Sequence, residues 1–461
     1  MTDVPPGSGQ SDDDEPRDDE SPDLGDLLGR LMSGGLPGID PAQLAAAGVP
    51  TDPAALGQAL AQVQRMLTTA GDGPVNWDLA QQVARQTAAS GGDPSVPDAA
   101  RREVVEALRL AELWLDGVTT MPAAAGPAQA WSRAEWVEET LGTWRRVAEP
   151  VAESVAAAMG DAMTQQAPEE MRPMMAAAGK MMRQVGGAVF GMQVGQAVGT
   201  LAGEVVSSSD IGLPLAKSPG TALLPANVTA FGEGLDVPTG ELRLYLALRE
   251  AAHARLFGHV GWLRGHLLGA VESYARGITI DTARIEEAVA GVDTTDPQAL
   301  QQALSSGVFE PERTPAQEAA LARLETALAL VEGWVDEVVD AAAVAQLPHA
   351  AALRETMRRR RAAGGPAEHT LASLVGLELR PRRLRDAAVL WATLEAARGL
   401  DGRDAVWQHP DLLPVTTDLD DPTGFATRRG DAEAASADVD AALEELLRGE
   451  SPDADTPDDE R

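Results

Sequence analysis

The sequence predicts a mainly α fold: a multi-helix body with one small β element, flanked by disordered acidic tails. Three observations carry this. Ala, Gly, Leu and Val dominate the apolar content while aromatics make up 3%, a composition suited to closely packed helices. Helix-period segments alternate with breaks such as Gly71-Asp72-Gly73-Pro74 and Gly91-Gly92-Asp93-Pro94. Acidic residues collect at the two ends.

The first 26 residues hold ten acids against Arg17, and residues 431–461 hold twelve against Arg448 and Arg461. These ends supply more than half of the net charge of −34. Residues 1–26 and 426–461 therefore read as disordered tails, too charged and too poor in apolar surface to offset the entropy of ordering. Between them lie an N-terminal helical region, 27–160, and a second domain, 161–425. A chain this acidic repels phosphate backbones and anionic lipid, so neither nucleic acid nor membrane is expected as a partner. Cysteine is absent, which excludes disulfides and thiolate-held metals and suits a reducing compartment. With an acidic, Pro- and Ser-rich start in place of a basic and then apolar leader, a cytoplasmic protein is expected.

Taken in order, the elements start with an amphipathic piece around Leu27, Leu28 and Leu31, then helices to about 160. From Gln184 to Val206 glycine recurs at 187, 191, 195, 199 and 203, and no charge appears before Glu204. Glycine at every fourth position forms a nearly straight ridge on a helix and lets another backbone approach closely. Gln184, Gln193 and Gln196 argue for a buried helix rather than a membrane span. Residues 207–237 turn Ser/Gly/Pro-rich, with β-type runs at Thr221–Leu224 and Asn227–Phe231 that suit a small hairpin or sheet edge. Helices resume after Pro238, with Thr239 as a cap. A long helix is expected from Thr314-Pro315 to about Gln346.

Three of the six histidines, His253, His259 and His266, fall within fourteen residues. The inward stripe of the first helix is Leu242, Leu246, Arg249, His253, Leu256 and Val260. Arg249 and His253 interrupt this apolar face one turn apart, with Glu250 on its flank. Titratable groups on a core-facing stripe need partners from another element. The helix around 331–339 offers Glu332, with Asp336 one turn further on.

Residues 245–264 (YLALREAAHARLFGHVGWLR) and 330–338 (LVEGWVDEV) resemble the zincin-like metallopeptidase family found in actinobacteria. In that pattern an H-E-x-x-H helix holds zinc with two histidines, its glutamate polarises the bound water, and a later Glu-x-x-x-Asp adds a ligand and a supporting carboxylate. The resemblance implies a zincin-like fold acting on a peptide or protein. It makes His253 and Glu332 metal ligands, Glu250 the general base, and Asp336 a support for the ligands. Arg249 stands where the first histidine belongs, so the signature reads REAAH. A guanidinium has no lone pair for a cation.

Three readings stay open. Arg249 could replace zinc electrostatically by engaging Glu332 and Glu250, leaving a module that binds peptides without cutting them. A hydrolase could survive with rearranged ligands if the helix breaks near Gly258 or Gly261 and brings in His259. Or His253 could be a satisfied core histidine and Glu332 a surface acid. Other signals are weaker: no G-x-S-x-G nucleophile elbow occurs, and Gly179-Lys180 precedes Met181 rather than Ser or Thr. The run Arg358–Arg361 reads as a solvated helix end or a patch for the acidic tails. The dense methionines between 159 and 192 read as adaptable core packing.

Overall fold

The computed structural model describes residues 73–165, 172–277, 314–364, 367–377 and 383–449. The expected N-terminal tail, the piece around Leu27 and the side chains of most of the clustered methionines lie outside them. All the described residues belong to one compact unit.

Its helices are α1 (Trp77–Ala89), α2 (Asp98–Leu115), α3 (Arg133–Gln165), α4 (Arg172–Glu204), α5 (Pro225–Gly232), α6 (Thr239–His259) and α7 (Leu263–Arg276). After them come α8 (Pro315–Ala343), α9 (Ala350–Ala362), α10 (Ala367–Val375), α11 (Leu384–Asp404) and α12 (Pro422–Gly449). The expected mainly α body is what forms. Its scarce aromatics sit where they count: Trp136, Trp144, Trp334, Trp391 and Trp407 are among its largest fully buried side chains.

The glycine ridge does what its spacing implies. It lies on α4, which packs against α1. A Cβ at Gly191, Gly195 or Gly199 would fall 2.5–2.6 Å from the carbonyl oxygen of Asn76, Ala80 or Ala84. Only hydrogen fits there. No helix among the described residues is long and apolar enough to cross a membrane.

Five expectations change. The boundary at 160 falls inside α3, and α2 packs on α6, so the N-terminal helices from Trp77 onward belong to the same body. The expected hairpin is a two-stranded parallel sheet: β1 (Ala128–Ala130) pairs with β2 (Thr221–Leu223), and Ser207 bridges antiparallel to Leu223. Residues 227–231 are helical in α5, because Pro225 suits a first turn and the Asn227 amide donates to the carbonyls of Ala202 and Val205. Pro238, not Thr239, is the N-cap of α6, and no side chain caps it. Finally, the tail expected from 426 is helical to Gly449. Phe425 and Ala426 anchor that helix in the core, and the Ala/Glu/Leu content beyond favours helix despite its charge. By contrast, α8 starts as expected, with reciprocal Thr314–Gln317 capping.

Candidate functional site: a buried carboxylate held by two guanidiniums

The predicted stripe of α6 is buried along its length, Arg249 and His253 included, and it packs on α8. That contact brings His253, Arg249 and Glu332 together. Arg249 Nη2 donates to Glu332 Oε2 at 2.6 Å. His253 Nε2 lies 3.1 Å from Glu332 Oε1, and its Nδ1 lies 2.9 Å from the Arg249 carbonyl oxygen. Both ring nitrogens therefore face oxygens of the cluster itself, so neither points to an open position. Glu332 is 1% exposed and not a surface acid.

A third helix completes the cluster. On α9, Arg354, Arg358 and Arg361 follow at spacings of four and three, one ridge of that helix. On α8, Glu332, Asp336 and Asp340 follow at spacings of four. The two ridges mesh antiparallel. Arg361 Nη2 donates to Glu332 Oε1 at 2.8 Å, Arg358 Nη2 to Asp336 Oδ2 at 2.7 Å, and Arg354 to Asp336, Glu337 and Asp340. Arg360 reaches Asp210 at 2.9 Å. The basic run expected on a solvated face thus turns inward, except Arg359, which stays exposed. The signal was present as matching periods of opposite charge on neighbouring helices. Taken alone, a run of arginines is more often a solvated face.

Asp336 is accordingly held by α9 and is not hydrogen-bonded to His253. Burial alone would raise the pKa of Glu332. Arg361, His253 and Arg249 outweigh it and hold that carboxyl well below the usual carboxylate range. Tyr245, one turn before Arg249, is pushed up to about 12, chiefly by burial.

Glu250 faces elsewhere. Its Oε1 accepts the Ser208 hydroxyl and the Ala222 N–H, and its Oε2 accepts the N–H and hydroxyl of Ser209. The expected Arg249–Glu250 contact does not form. Residues 205–215 make a buried loop, and such a loop persists only if its polar groups find partners. Glu250 supplies them from α6. Asp210 supplies more by accepting the Val206 N–H. So anchored, the loop lays Gly212 (φ +76°) over the cluster, where a Cβ would fall 2.7 Å from Glu332 Oε1.

The other histidines do not join. The α6 helix stays unbroken through Gly258, and His259 is exposed at its end, 3.4 Å from the Ala123 carbonyl. His266 packs edge-on against Trp262. The donor set does not fit zinc. Glu332 and His253 are the only side chains of the expected ligand set that meet, and the carboxylate is already shared by two guanidiniums. Among the described residues, no group of three or more His, Asp or Glu side chains could hold a metal ion. Five carboxylates (210, 332, 336, 337 and 340) already face five guanidiniums (249, 354, 358, 360 and 361), so a dication would enter a cluster that is balanced without it.

Residues 75–426 match the family model described as zincin-like metallopeptidase. The chain belongs to that family. A solved structure from Chloroflexus aurantiacus, described as a candidate hydrolase with a novel fold, shares the fold with a TM-score of 0.53 at 18% identity. The match covers 77% of this chain and 98% of that one. No curated protein matches the sequence.

Proposed function

We propose that this zincin-like protein is a metal-free member of its family that binds peptides or protein segments without hydrolysing them. Arg249 and Arg361 take the electrostatic place of zinc between α6 and α8. The observation that carries the reading is the double clasp on Glu332, 2.6 Å from Arg249 and 2.8 Å from Arg361. In a zincin the metal offsets the charge of buried ligands and leaves a position open for water. Here guanidiniums offset the charge, and Arg249, His253, Glu332 and Arg361 are buried with no open position. Glu250, the general base by resemblance, has its oxygens engaged by four donors and serves as a loop anchor. The peptide class follows from the family alone. A chain without cysteine suits a reducing cytoplasm.

The test is a thermal melt and a peptide-cleavage assay on the full chain, each run with added zinc and with chelator. The reading expects one melting temperature under both conditions and no cleavage. Zinc-dependent cleavage abolished by Glu250→Gln would overturn it.

A further inference from the structure

A cleft of about 390 Å³ opens between the 208–220 loop and the stripe of α6 next to the one that faces Glu332. That volume lies in the range of small-ligand sites, about 300–1,000 Å³. Its lining combines an apolar part (Phe257, Pro214, Pro219) with three charged side chains, Glu250, Lys217 and Arg264. In a chain of net charge −34, a lining with two cations and one anion stands apart.

The three charges are not equally satisfied. Glu250 has its four donors. Lys217 Nζ pairs with Glu139 at 3.0 Å. Arg264 has only neutral acceptors: Nη1 donates to the carbonyls of Pro214 (2.6 Å) and Ala216 (3.1 Å), and Nη2 to the Thr143 hydroxyl (3.3 Å). Among the described residues no carboxylate pairs with it. Arginines 249, 255, 354, 358, 360, 361 and 403 each have one within 4 Å, whereas Arg133, the other part-buried arginine with neutral acceptors, does not line the cleft. Burial lowers the pKa of Arg264, and the like charge of Arg146 lowers it further. A half-buried cation held only by dipoles, at the wall of a cleft, is improved by an incoming anion.

We propose that this cleft binds the C-terminal carboxylate of a peptide whose last side chain is apolar. Arg264 receives the carboxylate, Lys217 adds positive potential at the mouth, and the terminal side chain lies against Phe257 and the two prolines. A C-terminal residue carries an apolar group and a carboxylate on one Cα, which matches the mixed lining better than an acidic side chain does. The proposal rests on the peptide-binding reading above and gives it a ligand class.

The experiment is calorimetric titration of the full chain with an N-acetylated tripeptide ending in leucine, as free acid and as amide. The acid should bind about tenfold to a hundredfold tighter, the range of one charge-assisted hydrogen bond. Arg264→Gln should erase that preference, and higher salt should shrink it. Should Arg264→Gln not fold, the acid–amide comparison on the unaltered protein still decides, and Lys217→Gln, at an exposed position, should weaken acid binding. Equal binding of acid and amide, a preference that survives Arg264→Gln, or no binding of either peptide overturns the proposal. Zinc content read on the same preparation tests the metal-free reading separately, so the two failures look different.

Discussion

Arg249 Nη2 and Glu332 Oε2, on residues 83 apart in sequence, meet at 2.6 Å between α6 and α8, both side chains almost wholly out of water. A buried ion pair is weak support for stability when intact, but removing one partner strands the other.

Glu332→Gln should therefore cost about 3–5 kcal/mol, because it leaves two buried guanidiniums without their shared carboxylate. Arg249→Met should cost less, about 2–3 kcal/mol, since Arg361 and His253 still face Glu332. Urea unfolding of both variants checks the order. Equal costs would show that Arg361 does not share the load.

The same cluster sets an acid limit. The folded pKa of Glu332 lies below its unfolded value, so its contribution is present above the unfolded pKa of about 4.5. It is lost as pH falls from there toward the depressed folded value. Stability measured from pH 5 downward should fall more steeply for the native sequence than for Glu332→Gln. Parallel curves would remove Glu332 from the account.

Glu250→Gln separates an anchor from a base. An amide keeps the size but turns one acceptor into a donor, facing groups that themselves donate. The variant should lose about 2–3 kcal/mol in chemical unfolding with no ligand present. An unchanged stability would mean that the buried loop does not depend on this carboxylate.

How much of this was legible in the sequence depends on which force fixed each element. The stripe through Arg249 and His253 was readable because burial follows helical period, and the Thr314 cap because its chemistry is local. The meeting of Arg249, His253 and Glu332 was reachable because a titratable pair on an apolar face must find partners. Arg361 was not: the arginine run is locally identical to a solvated helix end, and only the docking of α9 on α8 turns it inward. At residues 227–231 β propensity yields to the Asn227 ties, and in the stretch to Gly449 charge masks strong helix formers. The place of Glu250 is not legible, because its partners come from a loop whose burial leaves no periodic trace.

The glycines give a paired test. Gly195→Ala should destabilise by about 2 kcal/mol or more, because its Cβ would meet the Ala80 backbone at 2.6 Å. Gly203→Ala, on the same ridge with nothing within 4 Å, should gain up to about 1 kcal/mol from helix propensity. Gly212→Ala should be the worst of the three, since its positive φ and the Glu332 contact both resist a side chain. Thermal melts rank them. A harmless Gly195→Ala would mean that α1 and α4 are not in backbone contact.

The metal content of the full chain, purified without chelator and measured by mass spectrometry, bears most directly on the double clasp of Glu332. Substitution of zinc by guanidinium predicts no stoichiometric metal, in the native sequence and in His253→Ala alike. One zinc per chain, lost on His253→Ala or Glu332→Gln, would contradict it.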